Sequence, residues 1–158
     1  PPGGGLAARP PHGVVAFGDL FTIQPFGNGL GTLTLTGAEL RSLLESQWSR
    51  HGDRVRFLQP SRGFSYAWAA DRPWGARIDP DSIRLDGEPV RATARYRVTV
   101  NSYLAAGGDG FSILKDASER VGGPLDVEAL ADYLRKASQA GPVAPDQQPR
   151  IHRIGPER

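Results

Sequence analysis

The sequence predicts an α+β domain, with mixed sheets packed against helices, and three observations carry that prediction. Residues 91–101 alternate, with Ala92, Ala94, Tyr96, Val98 and Val100 between Arg91, Thr93, Arg95, Arg97, Thr99 and Asn101. That period of two marks a strand with one core face and one basic face. The stretch "TGAE" at 36–39 opens an amphipathic run instead, and helical and hairpin-like segments then follow one another without regular βαβ alternation. With 158 residues, 39% of them apolar, one core and one domain are expected, folded over about 13–155.

The elements follow in chain order. Residues 1–13, "PPGGGLAARPPHG", are too rich in proline and glycine for a helix or a central strand. "GDLFTIQPF" reads either as a short helix opened near Asp19 or as a strand, and Pro25 fixes only its end. "GLGTLTLTG" alternates, placing Leu33 and Leu35 on one face and Thr32, Thr34 and Thr36 on the other, as in a strand with one buried side. Thr36 and Glu39 then form a capping box for a helix over 37–49, whose stripe is Leu40, Leu43, Leu44 and Trp48. "GFSYAW" puts Phe64, Tyr66 and Trp68 on one side of a strand, and Asp86-Gly87 inside "SIRLDGEPV" predicts a tight hairpin. "DVEALADYLRKAS" has Asp126 as N-cap candidate, with Val127, Leu130, Ala131 and Leu134 in helical register. The tail, "AGPVAPDQQPRIHRIGPER", reads as loop apart from Ile151 and Ile154.

Composition narrows the chemistry. With no cysteine, disulfides, thiolate metal sites and cysteine nucleophiles are excluded. The net charge is +2, carried by arginine because Lys115 and Lys136 are the only lysines. This permits contact with phosphates or nucleic acid without demanding it, and solvated surface arginines are the favoured reading. No run approaches the roughly 20 apolar residues of a membrane helix, and residues 1–13 do not read as a signal peptide. A proline at position 1 and the absence of methionine predict a fragment or a processed chain.

Enzyme motifs are scarce. His12, His51 and His152 are far apart and lack neighbours at metal-ligand spacing, so they read as unrelated surface residues. "DPDSIRLDGE" fails as a calcium loop because Ile83 occupies a ligand position. "GNGLG" lacks the lysine of a phosphate loop, and Ser61 in "PSRGF" has no nucleophile-elbow context. The face of Arg91, Arg95 and Arg97, with Tyr103 nearby, suits a nucleic-acid backbone, but interleaved threonines favour a solvated or interdomain sheet face. Nucleic acid is therefore an unfavoured partner.

Two aromatics stand apart from the core pattern. Phe26 follows Pro25 and precedes Gly27-Asn28-Gly29, and Tyr103 precedes "GGDGF" at 107–111. Each is either a packed core residue or a ring held at an element's edge for stacking on a planar ligand, with Asn28 placed to read that ligand's edge.

Taken together, "VAFGDLFTIQPFGNGLGTLTLTGAEL", "FLQPSRGFSYAW" and "YRVTVNSYLAAGGDGF" resemble, in order, the C-terminal domain of the 5'-nucleotidase family, which includes UDP-sugar hydrolases and 2',3'-cyclic-nucleotide phosphodiesterases. The resemblance runs from about Gly3 to Ala117 and more weakly to Ile154. It implies a substrate-binding domain whose partner is an N-terminal metallophosphoesterase domain, outside this chain, that holds two divalent metal ions; no cofactor is expected in the chain itself. It further implies that Phe26 and Tyr103 clamp a base, that Asn28 contacts the base edge, and that Asp109 accepts from ribose hydroxyls. Gly107, Gly108 and Gly110 would let that loop approach the sugar. An extracellular, periplasmic or cell-surface location is implied as well. One departure is visible: where relatives carry an asparagine and an arginine for base and phosphate, "PPGGGLAAR" places Pro2 and Ala7, with Arg9 two residues late. A domain that kept the fold and lost its ligand is the alternative.

Overall fold

The computed structural model describes residues 13–48 and 57–155. Pro2, Ala7, Arg9, His12 and His51 therefore lie outside the described residues, as does Ser49 at the end of the expected helix.

Helix α1 spans Phe17–Ile23, which decides between the two readings of "GDLFTIQPF". Asp19 sits in its first turn, and its carboxylate accepts from the Ala16 N–H at 2.8 Å. Strand β1, Gly29–Thr36, is followed at once by α2, Gly37–Glu45, with Thr36 and Glu39 bonded reciprocally as the capping box requires. The amphipathic run continues as a 3₁₀ turn over Ser46–Trp48. Strand β2 is Phe64–Ala69, and β3, Arg84–Leu85, with β4, Glu88–Pro89, forms the predicted hairpin. Asp86 and Gly87 both have positive φ, 50° and 85°, as the two-residue turn that matches strand twist demands.

Strand β5 runs only over Arg95–Asn101, so the expected strand loses the first part of its alternation. Arg91–Ala94 closes a turn instead, and the Ala92 and Ala94 carbonyls accept from the Ala38 and Gly37 N–H groups. Those donors belong to the first turn of α2, which has no intrahelical acceptors for them. The carbonyls that would have extended the ladder serve the helix.

A short helix α3, Ser102–Ala105, leaves β5, and two 3₁₀ turns, Gly108–Gly110 and Ser112–Lys115, complete the glycine loop. Strand β6, Ser118–Leu125, has no counterpart among the expected elements, and strand β7, Ile151–Ile154, falls on the two isoleucines that stand apart from the loop-like tail. Between them lies α4, Asp126–Ala137, with Leu125 rather than Asp126 in the N-cap position. The Asp126 N–H is already taken by the Asn28 carbonyl at 2.8 Å, which draws the aspartate into the helix.

Sheet order is β5-β1-β6, all antiparallel, and β4-β3-β2-β7, in which β2 and β7 are parallel. Helix α2 serves both sheets. Leu40 and Leu43 pack with Leu33, Leu35, Leu104, Phe111 and Leu114, whereas Leu44 and Trp48 pack with Tyr66, Ile78 and Ile83. Each such side chain contributes about 1.5–3 kcal/mol when fully buried, so the single stripe read from sequence welds two layers. Helices α1 and α4 form a third cluster through Leu20, Ile23 and Val127.

Candidate functional site

β1 and β5 pair with Leu30 opposite Asn101, so the loop entering β1 and the segment leaving β5 meet at one end of the sheet. Phe26 lies on the first and Tyr103 on the second, and each keeps 52% of its surface exposed. Burial of a bare aromatic ring is the rule in a core, so neither residue is a packing residue in this chain.

The two segments are tied together. The Ser102 hydroxyl donates to Asn28 Oδ1 at 3.1 Å, and the Asn28 carbonyl accepts from Asp126 at the start of α4. With Oδ1 so engaged, the Asn28 side chain offers Nδ2 as a donor. Asn101 caps α3 by accepting from the Leu104 N–H at 2.9 Å, which fixes the turn that carries Tyr103.

The glycine loop folds back on that tyrosine. A Cβ on Gly108 would fall 2.5–2.6 Å from Cε1, Cδ1 and Cζ of Tyr103, three successive ring atoms at near-equal distance, which puts it over the ring rather than beside it. The expected role of Gly108, close approach to a sugar, is thus joined by a second one: only a residue without Cβ lets the backbone lie against this ring. Gly107, at φ 82°, faces the Lys115 side chain. Asp109 is itself left-handed, at φ 56° and ψ 14°, with its N–H donating to the Tyr103 hydroxyl and its Oδ1 accepting from it, both at 3.2 Å. Phe111, to which the sequence reading gave no role, is 1% exposed and anchors the loop in the core.

Arg120 was also missed. Its guanidinium donates to the carbonyls of Ala105, Leu114, Lys115 and Ala117, gathering the chain on both sides of the glycine loop. No local pattern announces such a role in an exposed strand residue. Asn101 and Ser102 were more legible, since a strand-ending Asn three residues before a buried Leu is a helix-cap signature.

The basic face is solvent-exposed and carries an ion-pair network. Arg91 lies in the turn before β5, while Arg95 and Arg97 face Glu119 at 2.7 and 3.7 Å. Arg97 also donates to Thr34 Oγ1, and Thr34 donates to Glu119 Oε2 at 2.8 Å. The Thr34 hydrogen bond, followed by the Arg95 charge, holds the Glu119 carboxyl below the usual carboxylate range. Thr34 is buried beneath this network, while Thr32 and Thr36 on the same side of β1 stay partly exposed.

A cavity of ≈ 420 Å³ lies between the sheets, lined by Leu58, Phe64, Tyr96, Val98 and Val100 among others, and by none of the six expected site residues. His152 is exposed on β7, as a surface histidine should be. Among the described residues no group of three His, Cys, Asp or Glu could hold a metal ion. No helix among them is long and apolar enough to cross a membrane.

The family model "5'-nucleotidase, C-terminal domain" matches residues 2–116, a span that includes Phe26, Asn28, Tyr103 and the whole glycine loop. The chain belongs to that family. A 5'-nucleotidase precursor from Thermus thermophilus has the same α+β fold, with a TM-score of 0.78 and 35% identity over 99% of this chain and 31% of that one. Snake venom 5'-nucleotidase of Crotalus adamanteus is 27% identical, across 89% of this chain and 26% of the venom protein. Cell wall protein Lmo0130 of Listeria monocytogenes is 31% identical, across 82% of this chain and 16% of that protein. The chain therefore spans about a quarter of the venom relative's length, and the 5'-nucleotidase C-terminal domain is one part of larger proteins.

Proposed function

We propose that this domain recognises the nucleoside part of a nucleotide on behalf of a 5'-nucleotidase-type phosphohydrolase. Phe26 and Tyr103 stack on the base, Asn28 donates to its edge, and Asp109 accepts from the ribose hydroxyls. The supporting observation is the pair of half-exposed rings at one end of β1 and β5, joined through the Asn28–Ser102 hydrogen bond. A flat base offers two π faces besides its polar edge, and each aromatic plate contributes about 1–3 kcal/mol.

Hydrolysis itself is assigned to an N-terminal metallophosphoesterase domain with two divalent metal ions, for which the described residues supply no ligand set. The venom and cell-wall relatives support a secreted or surface-attached protein. A nucleic-acid backbone is not the favoured ligand, because Arg95 is paired with Glu119, and Arg97 lies 3.7 Å from the same carboxylate and donates to Thr34.

Isothermal titration calorimetry of the 158-residue chain with adenosine and AMP tests the reading. Saturable adenosine binding is expected, weakened by about 1–3 kcal/mol in Phe26→Ala and again in Tyr103→Ala. Equal affinity for AMP would mean that the phosphate is contacted elsewhere. Unchanged affinity in both variants refutes the clamp. No heat from either ligand points to the fold kept without its ligand.

A further inference from the structure

The hydroxyl of Tyr103 does something that stacking does not require. Its oxygen donates to Asp109 Oδ1 and accepts from the Asp109 N–H, so side chain and backbone of one residue converge on a single phenol. A phenol can do both because it carries one donor and acceptor lone pairs. At 3.2 Å the N–H contact is at the long end of its normal range and the phenol–carboxylate contact is just beyond its own, so they orient more than they bind.

Asp109 needs such orientation. At φ 56° it stands in the left-handed region, which aspartate reaches more readily than most residues, so the backbone conformation alone does not fix where its carboxylate points. Its neighbours Gly107 and Gly110 stand at φ 82° and 88° and restrain the chain poorly. The firm points are on either side: Phe111 buried in the core, and Tyr103 fixed on α3 by the Asn101 cap. The phenol spans from the second of these to the carboxylate.

We infer that Tyr103 is, through its hydroxyl, a positioning residue that holds the Asp109 carboxylate in register with its own ring, so that base plate and ribose acceptor form one unit. The inference rests on the nucleoside reading above. It makes the tyrosine a determinant of selectivity for ligands with ribose hydroxyls, separate from its role as an aromatic surface. Phenylalanine would keep the plate and lose the tether.

Tyr103→Phe separates this from a structural staple. Adenosine affinity should fall about fivefold, the worth of an ordinary net hydrogen bond, while affinity for 2',3'-dideoxyadenosine, which lacks the 2'- and 3'-hydroxyls that Asp109 would accept from, stays unchanged. In an Asp109→Ala background the same substitution should have no further effect on adenosine. Equal losses for both ligands, or no loss for adenosine, overturns the inference. A ligand-free measurement accompanies these: amide hydrogen exchange at Asp109 should quicken severalfold in Tyr103→Phe, with Val98 unaffected. If the unaltered chain binds no adenosine, the nucleoside reading has failed. Unchanged Asp109 exchange then refutes the tether too, and faster exchange reduces it to loop stabilisation, which overturns the selectivity claim.

Discussion

Placing a methyl group on Gly108 is the sharpest perturbation of this site. Gly108 is absent from the residues with positive φ, so alanine meets no backbone strain there, and the whole effect is steric. The new Cβ would stand 2.5–2.6 Å from three carbons of the Tyr103 ring, against an optimal carbon–carbon separation of about 3.5–4.0 Å. The ring must retreat by about 1 Å along its normal, which stretches both 3.2 Å contacts to Asp109, already at or past the usual limit. Gly108→Ala should therefore lose stacking on that side and weaken adenosine binding by about 1–3 kcal/mol, roughly five- to a hundredfold. Calorimetry measures the affinity, and the Tyr103 ring-proton NMR shifts report the displacement without ligand. Gly122→Ala is the control, since nothing lies within 4 Å of a Cβ there and its φ is not in the left-handed region. Unshifted ring resonances with wild-type affinity in Gly108→Ala would refute the close packing of loop and ring.

Two further expectations concern the framework. Glu45 is buried, and its carboxylate accepts from the N–H groups of Arg77 and Ile78 at 3.0 and 2.8 Å; Glu45→Ala leaves two donors without an acceptor and should cost about 3 kcal/mol in urea unfolding. A loss below about 0.5 kcal/mol, the range of ordinary surface changes, would show that these donors find other acceptors. Burial pushes the Tyr66 phenol up to about 12, against the opposing pull of Gln47. Because the folded value is raised, its contribution is complete below the unfolded value of about 10 and is lost as pH rises to about 12. Thermal melts should show Tyr66→Phe less stable at neutral pH, with a deficit that shrinks between pH 10 and 12; a constant deficit would mean the phenol ionises alike in both states.

What could be read from the sequence depended on whether local chemistry dictated local shape. The box of Thr36 and Glu39 announces α2, and Asp86-Gly87 announces a turn, because those residues satisfy or permit a specific backbone geometry where they stand. β6 could not be read that way. It carries Gly122, Gly123 and Pro124, and its register against β1 shifts twice, with Glu119 at φ 50° beside one shift, so bulges erase the period of two. β7 places Ile151 and Ile154 three apart, and its partner β2 is remote in the chain. Arg91 to Ala94 alternated as well as the rest of β5, yet lost to the donors of α2, a tertiary demand absent from the local pattern. At the site, the half-exposure of Phe26 and Tyr103 argues against core burial, one of two readings that their flanking residues left open. The phenol–carboxylate contact and the four carbonyls gathered by Arg120 arise from the folded path alone.

The parallel pairing of β2 with β7 also sets a timetable. Tyr66 is opposite Ile151, so the outer edge of β2 has no strand partner until about 85 more residues have been made, roughly 4–17 s at ribosomal speeds. An unpaired edge is an invitation to another chain, and parallel closure over so long a loop is slow. Until Ile151–Ile154 arrives, the side of β2 it will cover depends on Arg150 and its neighbours being delivered in time, and the nascent sheet is most open to association with copies of itself during that interval.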